Sequence, residues 1–308
     1  SRGPDSTKID IRDGVSMGIN RLSVNGSEIS AEQPFTNDTI MTVCNGEIFN
    51  HWNLENKYNY VPESGSDCEV LLPHLQHGGS PGEICNSLDA EFALFSYNSK
   101  TKRVLVARDP YGVRPLFWGR TRKGYFAFAS ELKAIHKICD HVEQFKPGWY
   151  MELDCSTRDI TFNYARYKKE IIIQKCQNVF NNIFNILEKA VKKRLMCENG
   201  GVCCLLSGGL DSSLVAAIAN KYTEQPIHTF SIGMMGSPDN KWALKVSKWI
   251  GSTHHVVIPT QEEFCEAIPE VIKAIESYDV TTVRASVGNY LVAKYIRENT
   301  DFKVVLNG

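Results

Sequence analysis

The first half of the chain carries short apolar runs separated by turn residues, a pattern typical of β-strands. Helical spacing of apolar residues interrupts this pattern twice, over residues 68–75 and, more briefly, over residues 131–135. The strands are predicted over residues 40–44, 102–108 and 125–130. Residues 1–165 are therefore expected to form a β-rich domain with short helices.

The second half of the chain, residues 178–308, alternates strands with helices. Its first helix is predicted from Asn178 to Arg194, where apolar residues recur at helical spacing and three cations end the run, as suits a helix dipole. Four strands are predicted over residues 202–206, 227–232, 254–258 and 302–306. This alternation predicts an α/β domain whose parallel sheet binds ligands at the carboxyl ends of its strands. Residues 166–177 are predicted to be a linker.

Composition limits the classes of function. The 308 residues allow two domains, and 43% hydrophobic with 22% charged residues is ordinary for a globular protein. A net charge of −1 gives no sign of a nucleic-acid partner, and no apolar run is long enough to suggest a membrane span. The ten cysteines form no C-x-x-C pair, which favours buried thiols in a reducing compartment and a cytoplasmic location.

The sequence Ser207-Gly208-Gly209-Leu210-Asp211-Ser212-Ser213 stands between a predicted strand and a predicted helix. Glycines let the backbone approach a ligand, the helix start offers N–H groups without intrahelical partners, and the serine hydroxyls add donors. This geometry suits a phosphate, and Asp211 makes sense as a ligand of Mg²⁺ bound to that phosphate. The residue order fits neither a Walker A loop nor a dinucleotide fingerprint. It resembles the PP-loop of ATP pyrophosphatases; the alternative is an ordinary Gly-rich turn with a Ser/Asp cap.

Polar groups in the first half suggest a pocket for an amino acid. Asn45 and Gly46 follow a predicted strand and could together donate hydrogen bonds to an oxyanion. Arg21, in a candidate strand over residues 20–24, could grip a carboxylate through two hydrogen bonds. Asp67, between a polar loop and a helix, could hold an ammonium group. Taken singly, each has an ordinary explanation as a turn, a surface cation or a helix cap.

Seven stretches make residues 1–165 resemble the glutaminase domain of class II, N-terminal-nucleophile amidotransferases, an α+β fold built as an αββα sandwich. They occur in the family's order, over residues 2–5, 21–23, 45–51, 65–69, 88–93, 108–116 and 129–133. The resemblance implies that Asn45 and Gly46 form an oxyanion hole, that Arg21 binds the glutamine carboxylate, and that Glu47 and Asp67 hold its α-amino group. The implied glutamine-binding residues are Arg21, Leu22, Ser23, Val24, Asn25, Asn45, Gly46, Glu47 and Asp67.

One feature of that family is missing at the start of the sequence. The family's nucleophile is an N-terminal cysteine whose own amine acts as the base, whereas this chain begins Ser1-Arg2-Gly3-Pro4-Asp5. That segment lies well inside the family's sequence, so Ser1 is not assigned as a nucleophile. The chain is expected to be an incomplete copy of a longer protein, able to present a glutamine pocket but unable to cleave glutamine.

The second half resembles the PP-loop synthetase domain of the glutamine-hydrolysing asparagine synthetase family, an α/β parallel-sheet fold. The matching stretches are residues 207–213, 231–233 with 236–239, and 278–286, the last of which is also explained by a polar loop with a capped helix. By the resemblance, Thr281 and Arg284 lie where ATP and aspartate react. The implied ATP-binding residues are Leu206, Ser207, Gly208, Gly209, Asp211, Ser212, Ile232, Gly233, Asn307 and Gly308, with Mg²⁺ on Asp211.

The resemblance implies a carbon–nitrogen ligase of amino-acid biosynthesis. ATP would adenylate the β-carboxylate of aspartate, pyrophosphate would leave, and ammonia from glutamine would displace AMP to give asparagine. Because free ammonia would be protonated in water, an apolar tunnel between the two domains is expected. The implied partners are glutamine, aspartate and ATP, with neither nucleic acid nor membrane, and a homodimer is left open.

The sequence ends at Asn307-Gly308, where the family continues into an acidic segment whose aspartate joins the PP-loop aspartate in holding Mg²⁺. Metal and nucleotide binding are therefore expected to be weaker than in a longer parent. Three other interpretations remain open: a β-lactam synthetase-like ligase without glutaminase activity, a phosphoribosyl-transferring amidotransferase, and a fragment that binds glutamine and ATP without turnover. The intact glutamine motifs count against the first, and the loop at 207–213 counts against the second.

Overall fold

The computed structural model describes residues 3–26, 29–157, 161–167 and 177–308. The chain divides into two compact units, Ser1–Ile173 and Gln174–Gly308. Most of the predicted linker, residues 168–176, lies outside the described residues. Within the described residues, no helix is both long enough and apolar enough to cross a membrane.

The first unit is built mainly from antiparallel strands. Its largest sheet has six strands in the order β11-β10-β6-β5-β4-β3, beside a three-stranded sheet β8-β7-β9 and a two-stranded sheet β1-β2. The strands are β1 (Ser6–Arg12), β2 (Val15–Arg21), β3 (Phe35–Thr36), β4 (Ile40–Ile48), β5 (Ala90–Asn98), β6 (Arg103–Arg108), β7 (Phe117–Thr121), β8 (Phe126–Ala129), β9 (Cys139–Gln144), β10 (Trp149–Asp154) and β11 (Thr161–Arg166). The α-helices are α1 (His51–Tyr58), α2 (Leu71–His77), α3 (Pro81–Asn86) and α4 (Leu132–Ile135).

Alternation of side chains along the central strands divides the core of this unit into two layers. On β4, Ile40, Cys44 and Ile48 pack against side chains of α1, α2 and α3. Met41 is the neighbour of Ile40 on β4 and therefore points to the opposite face of the sheet. There it packs with residues of the three-stranded sheet and with Phe145. Helices therefore cover one face of the large sheet and a second sheet covers the other. This layering agrees with the α+β sandwich expected from the sequence.

The structure corrects two local predictions in the first unit. Asn45, Gly46 and Glu47 do not follow a strand but lie within β4, because β5 pairs with all nine of its residues through to Ile48. The strand predicted over residues 20–24 ends at Arg21, whose pairing partner Ser6 is the first residue of β1. The residues after Arg21 form a loop, and the backbone amide of Ser23 donates to Asp5 Oδ2 at 2.8 Å.

The second unit is a parallel sheet covered by helices, as the sequence predicts. Its strands run in the order β14-β13-β12-β15, and every neighbouring pair is parallel. The strands are β12 (Val202–Leu205), β13 (His228–Ile232), β14 (Thr253–Val257) and β15 (Val304–Leu306). The helices are α5 (Val179–Lys193), α6 (Leu210–Lys221), α7 (Pro238–Ile250), α8 (Gln261–Glu266), α9 (Ile268–Ile275) and α10 (Val280–Asn299).

Adjacent cysteines on β12 show the two faces of this sheet. Cys204 packs in a cluster with α5, α6 and α7, whereas Cys203 packs with Phe230 and with Val292 and Ile296 of α10. Residues 278–286, for which a polar loop was an open alternative, form the start of α10. Asp279 caps that helix by accepting a hydrogen bond from the Thr282 amide at 2.8 Å. The polar residues of this stretch therefore form the N-terminal cap and first turns of a helix.

Candidate functional site

Two acidic side chains with little solvent access interact in the first unit. Glu47 lies on β4 and Asp67 opens a short 3₁₀ helix, Asp67–Val70. Asp67 is 4% exposed, and its Oδ2 accepts a hydrogen bond from the Ile48 amide at 2.6 Å. Glu47 accepts a hydrogen bond from Asn25 Nδ2 at 2.9 Å. The fold thus brings three of the predicted glutamine-binding residues into one place from three separate parts of the sequence.

Burial dominates the ionisation of this acidic pair. It raises the pKa of Glu47 to about 8, and the nearby Asp67 carboxylate acts in the same direction, whereas the Arg114 guanidinium and the Asn25 hydrogen bond oppose it. Burial also raises the pKa of Asp67, against the Ile48 hydrogen bond. Two interacting acids with little solvent access disfavour simultaneous ionisation. An ammonium group beside them would favour their ionised forms.

Arg21 ends β2 and is 9% exposed. Its Nη2 donates to the backbone carbonyl of Asn25 at 2.9 Å and also to that of Gly26. The Ser23 hydroxyl donates to the same Gly26 carbonyl at 3.0 Å. The guanidinium therefore holds the loop that carries Asn25 beside Glu47. Leu22 is 41% exposed and Val24 is half-buried in this loop.

The predicted oxyanion donors lie side by side on β4. Asn45 Nδ2 donates to Ser130 Oγ at 2.9 Å, so its amide is held by a residue from just after β8. A Cβ atom on Gly46 would stand 2.0 Å from the backbone oxygen of Glu91 on β5. Glycine is therefore required there by the close approach of the neighbouring strand.

The structure adds charged residues that received no role in the sequence analysis. Arg114 Nη2 lies 3.9 Å from Glu91 Oε2, and both charges act on the pKa of Glu47. Arg114 is positioned by a rigid turn, in which Asp109 accepts from its backbone amide at 3.0 Å and Arg108 donates to its carbonyl at 2.7 Å. The signal for these residues was their place in the stretches 88–93 and 108–116.

In the second unit, the stretch 207–213 stands between a strand and a helix as predicted, and its last four residues form the first turn of α6 (Leu210–Lys221). Gly208 has a φ of +81°, and a Cβ atom there would lie 2.6 Å from the Trp242 backbone of α7. Gly209 is the N-cap of α6. The Ser207 and Ser212 hydroxyls lie 3.0 Å apart, and Ser212 Oγ also faces the Gly209 carbonyl at 3.4 Å. The turn is thus closed by its own serines.

A cavity of about 210 Å³ opens at the carboxyl end of this sheet. It collects eight of the ten predicted ATP-binding residues, Leu206, Ser207, Gly209, Asp211, Ser212, Ile232, Asn307 and Gly308. Gly208 packs against α7 instead, and Gly233 donates its amide to the Val257 carbonyl at 3.1 Å. The lining residues that the sequence analysis did not assign are Leu205, Leu210, Phe230, Ser231, Asp239, Asn289 and Val292.

The acidic residues of this cavity fit a magnesium ion bound together with phosphates. Asp211 and Asp239 both line it, from the first turns of α6 and α7, and both are exposed. Mg²⁺ in nucleotide sites is commonly held by one or two carboxylates, with phosphate oxygens and water completing its shell. Within the described residues, no group of three or more metal-ligating side chains stands together.

Thr281 and Arg284 are not among the residues that line the cavity. Both occupy the first turns of α10 and are exposed. The same helix supplies Asn289 and Val292 to the cavity wall further along. The assignment of Thr281 and Arg284 to the reacting centre therefore remains a prediction.

Comparisons with known proteins give the class of this chain. A glutamine amidotransferase domain family model matches residues 1–169, and an asparagine synthase family model matches residues 183–308. The chain belongs to the glutamine amidotransferase domain family, whose model covers more than half of it. The resemblance inferred from the sequence motifs is confirmed.

The relatives that this chain matches include proteins named as glutamine-hydrolysing asparagine synthetases. A probable glutamine-hydrolysing asparagine synthetase of Acanthamoeba polyphaga mimivirus is 40% identical over 338 residues, and the Mus musculus asparagine synthetase is 38% identical over 341 residues. Each similarity covers 100% of this chain and 60% of the relative. A solved glutamine phosphoribosylpyrophosphate amidotransferase from B. subtilis is 17% identical with a TM-score of 0.44, over 89% of this chain and 78% of that chain. The chain thus spans about 60% of the length of the curated relatives that it matches.

Proposed function

We propose that the protein to which this chain belongs transfers the amide nitrogen of glutamine to aspartate with the use of ATP, giving asparagine. The observation that carries this proposal is that one chain holds both a pair of interacting acidic side chains with little solvent access, Glu47 and Asp67, and a cavity beside the loop at 207–213. A glutamine-dependent ligase requires both. The relatives named asparagine synthetase support aspartate as the acceptor.

The first unit would bind glutamine by matching charges. Glu47 and Asp67 would accept hydrogen bonds from the α-ammonium group, and Arg21 would bind the carboxylate after giving up backbone carbonyls of its loop. Asn45 and the Gly46 amide would donate to the oxygen of the amide as it becomes an oxyanion. These groups bind and polarise the substrate. They do not include the nucleophile, which the family resemblance assigns to an N-terminal cysteine.

The second unit would bind ATP and activate aspartate. The β-carboxylate of aspartate would attack the α-phosphorus, forming a β-aspartyl-adenylate as pyrophosphate leaves. The amide groups at the start of α6 and the hydroxyls of Ser207 and Ser212 would hold the departing phosphates. Asp211 and Asp239 would hold Mg²⁺, which would neutralise part of the negative charge on the phosphates. Ammonia would then attack the activated carbonyl, and AMP would leave with formation of the amide bond.

The test uses the whole protein with aspartate, ATP and either glutamine or an ammonium salt. We expect asparagine and pyrophosphate to form in equal amounts with both nitrogen sources. Pyrophosphate formation should require aspartate, and omission of aspartate is the matched control. Absence of aspartate-dependent pyrophosphate would show that the acceptor assignment is wrong. Activity with ammonia but none with glutamine would show instead that the glutaminase assignment is wrong.

A further inference from the structure

One polar residue of the nucleotide cavity has no role in the function proposed above. Asn289 lies near the middle of α10, lines the cavity and is exposed. In the part of the chain that the structure describes, its side-chain amide makes no hydrogen bond. Both the N–H donor and the C=O acceptor of this side chain are therefore available to a ligand in the cavity.

The position of Asn289 relative to the sheet follows from its neighbours on α10. A Cβ atom on Gly288 would lie 3.8 Å from Cγ2 of Ile232, so the helix passes the carboxyl end of β13 at this level. One turn further on, Val292 packs with Phe230, and both are 1% exposed. On this wall Asn289 lies beside the apolar Phe230, Ile232 and Val292. Ser231 of β13 also lines the cavity, and its hydroxyl lies 3.2 Å from His254 Nε2.

The phosphate-binding groups approach the cavity from the other side of the sheet. α6, which follows the loop, packs on the face that carries Cys204, whereas α10 packs on the face that carries Cys203. A nucleotide whose phosphates bind at the start of α6 would extend its base toward Phe230, Ile232 and Val292. Apolar side chains suit the faces of a base but leave the polar atoms on its edge without partners.

We propose that Asn289 recognises the base of the nucleotide, by presenting its amide N–H and C=O to a donor and an acceptor on the edge of adenine. Adenine carries a 6-amino donor beside ring-nitrogen acceptors, which an asparagine amide can pair with through two hydrogen bonds. The proposal rests on the proposed function, because it requires that the cavity hold ATP. It assigns to Asn289 the selection of adenine over other bases at that same site.

The test measures the affinity of the whole protein, in the presence of Mg²⁺, for three ligands: ATP, purine riboside triphosphate, which lacks the 6-amino group, and inorganic tripolyphosphate. Asn289→Leu preserves side-chain size and removes hydrogen bonding. Glu298→Gln, an exposed position on the same helix, is the control. We expect Asn289→Leu to weaken ATP binding about tenfold, as for loss of a bidentate contact to a base. The same substitution should weaken the binding of purine riboside triphosphate by a smaller factor, and the affinity for tripolyphosphate should not change.

The outcomes separate this inference from the proposed function. Unchanged ATP affinity in Asn289→Leu, or an equal loss for ATP and tripolyphosphate, overturns base recognition while leaving the nucleotide site in place. If the unmodified protein binds none of the three ligands, the nucleotide site itself is wrong, and the inference falls with it. Circular dichroism of both variants checks that α10 is intact.

Discussion

At the scale of single residues, the acidic pair of the first unit shows how burial prepares a site for a cation. Glu47 and Asp67 come from different elements and are both largely removed from solvent, which raises the pKa of each carboxyl group. The Arg114 guanidinium compensates only in part, since its Nη2 lies 3.9 Å from Glu91, a further carboxylate. An amino acid that placed its α-ammonium group beside the two carboxyl groups would therefore favour their ionised forms.

Glutamine binding should consequently depend on pH in a defined direction. With a pKa of about 8, Glu47 is mostly protonated near neutral pH, and an ammonium ligand stabilises its ionised form. Binding at about pH 7 should therefore release a proton, and affinity should rise as the pH approaches 8. Calorimetry in buffers of different ionisation enthalpy measures the proton release. Proton uptake, or affinity that is constant over this range, would contradict the assignment of Glu47 to the ammonium group.

Replacement of Glu47 by glutamine tests whether its negative charge binds the α-ammonium group of glutamine. Glu47→Gln keeps the side-chain shape but removes the carboxylate, so glutamine affinity should fall about 10- to 100-fold, the usual cost of losing a charge-assisted hydrogen bond. Proton release on binding should decrease in this variant, because Glu47 no longer contributes to it. The control is Glu143→Gln, at an exposed position on β9 of the same unit, which should bind glutamine as the unmodified protein does.

At the scale of elements, the turn from β12 to α6 depends on a close approach between helices. Gly208 combines a φ of +81° with a backbone position against Trp242 of α7, where a side chain has no room. Gly236 has almost the same φ, +82°, but nothing lies within 4 Å of a Cβ atom there. A side chain at Gly236 would meet only an unfavourable backbone conformation, whereas one at Gly208 would also clash with α7. Substitutions at the two positions therefore distinguish the two costs.

Alanine substitutions at these two positions should differ in stability. Gly236→Ala should lower the free energy of unfolding by about 1–2 kcal/mol, the cost of a left-handed conformation for a residue with a side chain. Gly208→Ala should cost a further 1–3 kcal/mol or so from overpacking, and it should also weaken nucleotide binding because the loop must move. Urea denaturation and ATP titration measure the two effects. Equal destabilisation by both substitutions would show that contact with α7 is unimportant.

At the scale of the whole molecule, the two units carry different halves of the proposed reaction. All residues assigned to glutamine lie within residues 21–67, and all those assigned to the nucleotide lie within residues 206–308. Ammonia is the only species that would pass between the sites. A substitution in one pocket should therefore affect only the reactions that need that pocket.

This division predicts different activities for two variants of the whole protein. Glu47→Gln should lose most glutamine-dependent asparagine formation and keep the ammonia-dependent reaction, because it acts on glutamine binding alone. Asp211→Asn should lose both, because each needs ATP. Asparagine formation with each nitrogen source measures the pattern. Loss of both activities in Glu47→Gln, with its fold intact, would refute the division.

Transfer of ammonia without release to solvent is a separate prediction. We expect it because ammonia released into water would be largely protonated near neutral pH and would no longer act as a nucleophile. When ordinary glutamine is supplied together with ¹⁵N-labelled ammonium, the asparagine amide should carry mainly the unlabelled nitrogen of glutamine. Mass spectrometry of the product distinguishes the sources. Labelling in proportion to the free ammonium would exclude a protected route.

The sequence by itself determined the fold class and the positions of the motifs. Alternation of strands and helices after residue 178 predicted the parallel sheet. The adjacent Cys203 and Cys204 pack on opposite faces of it because strand periodicity is 2. Local patterns of this kind depend on nearby residues and can be inferred without the fold. Predictions failed where pairing with a distant strand decides the outcome, as for residues 45–47, which β5 holds inside β4.

Only the tertiary structure decided which side chains meet. Asn25 and Glu47 are 22 residues apart and share a hydrogen bond, while Asn45 and Ser130 are 85 residues apart and share another. Arg114 and Glu91 act on the pKa of Glu47, and Asp239 and Asn289 line the cavity of the second unit, although no local pattern assigned them a role. Such contacts depend on the packing of whole elements, which brings residues together regardless of their separation in sequence. Burial, and with it the charge of Glu47 and Asp67, follows from that packing.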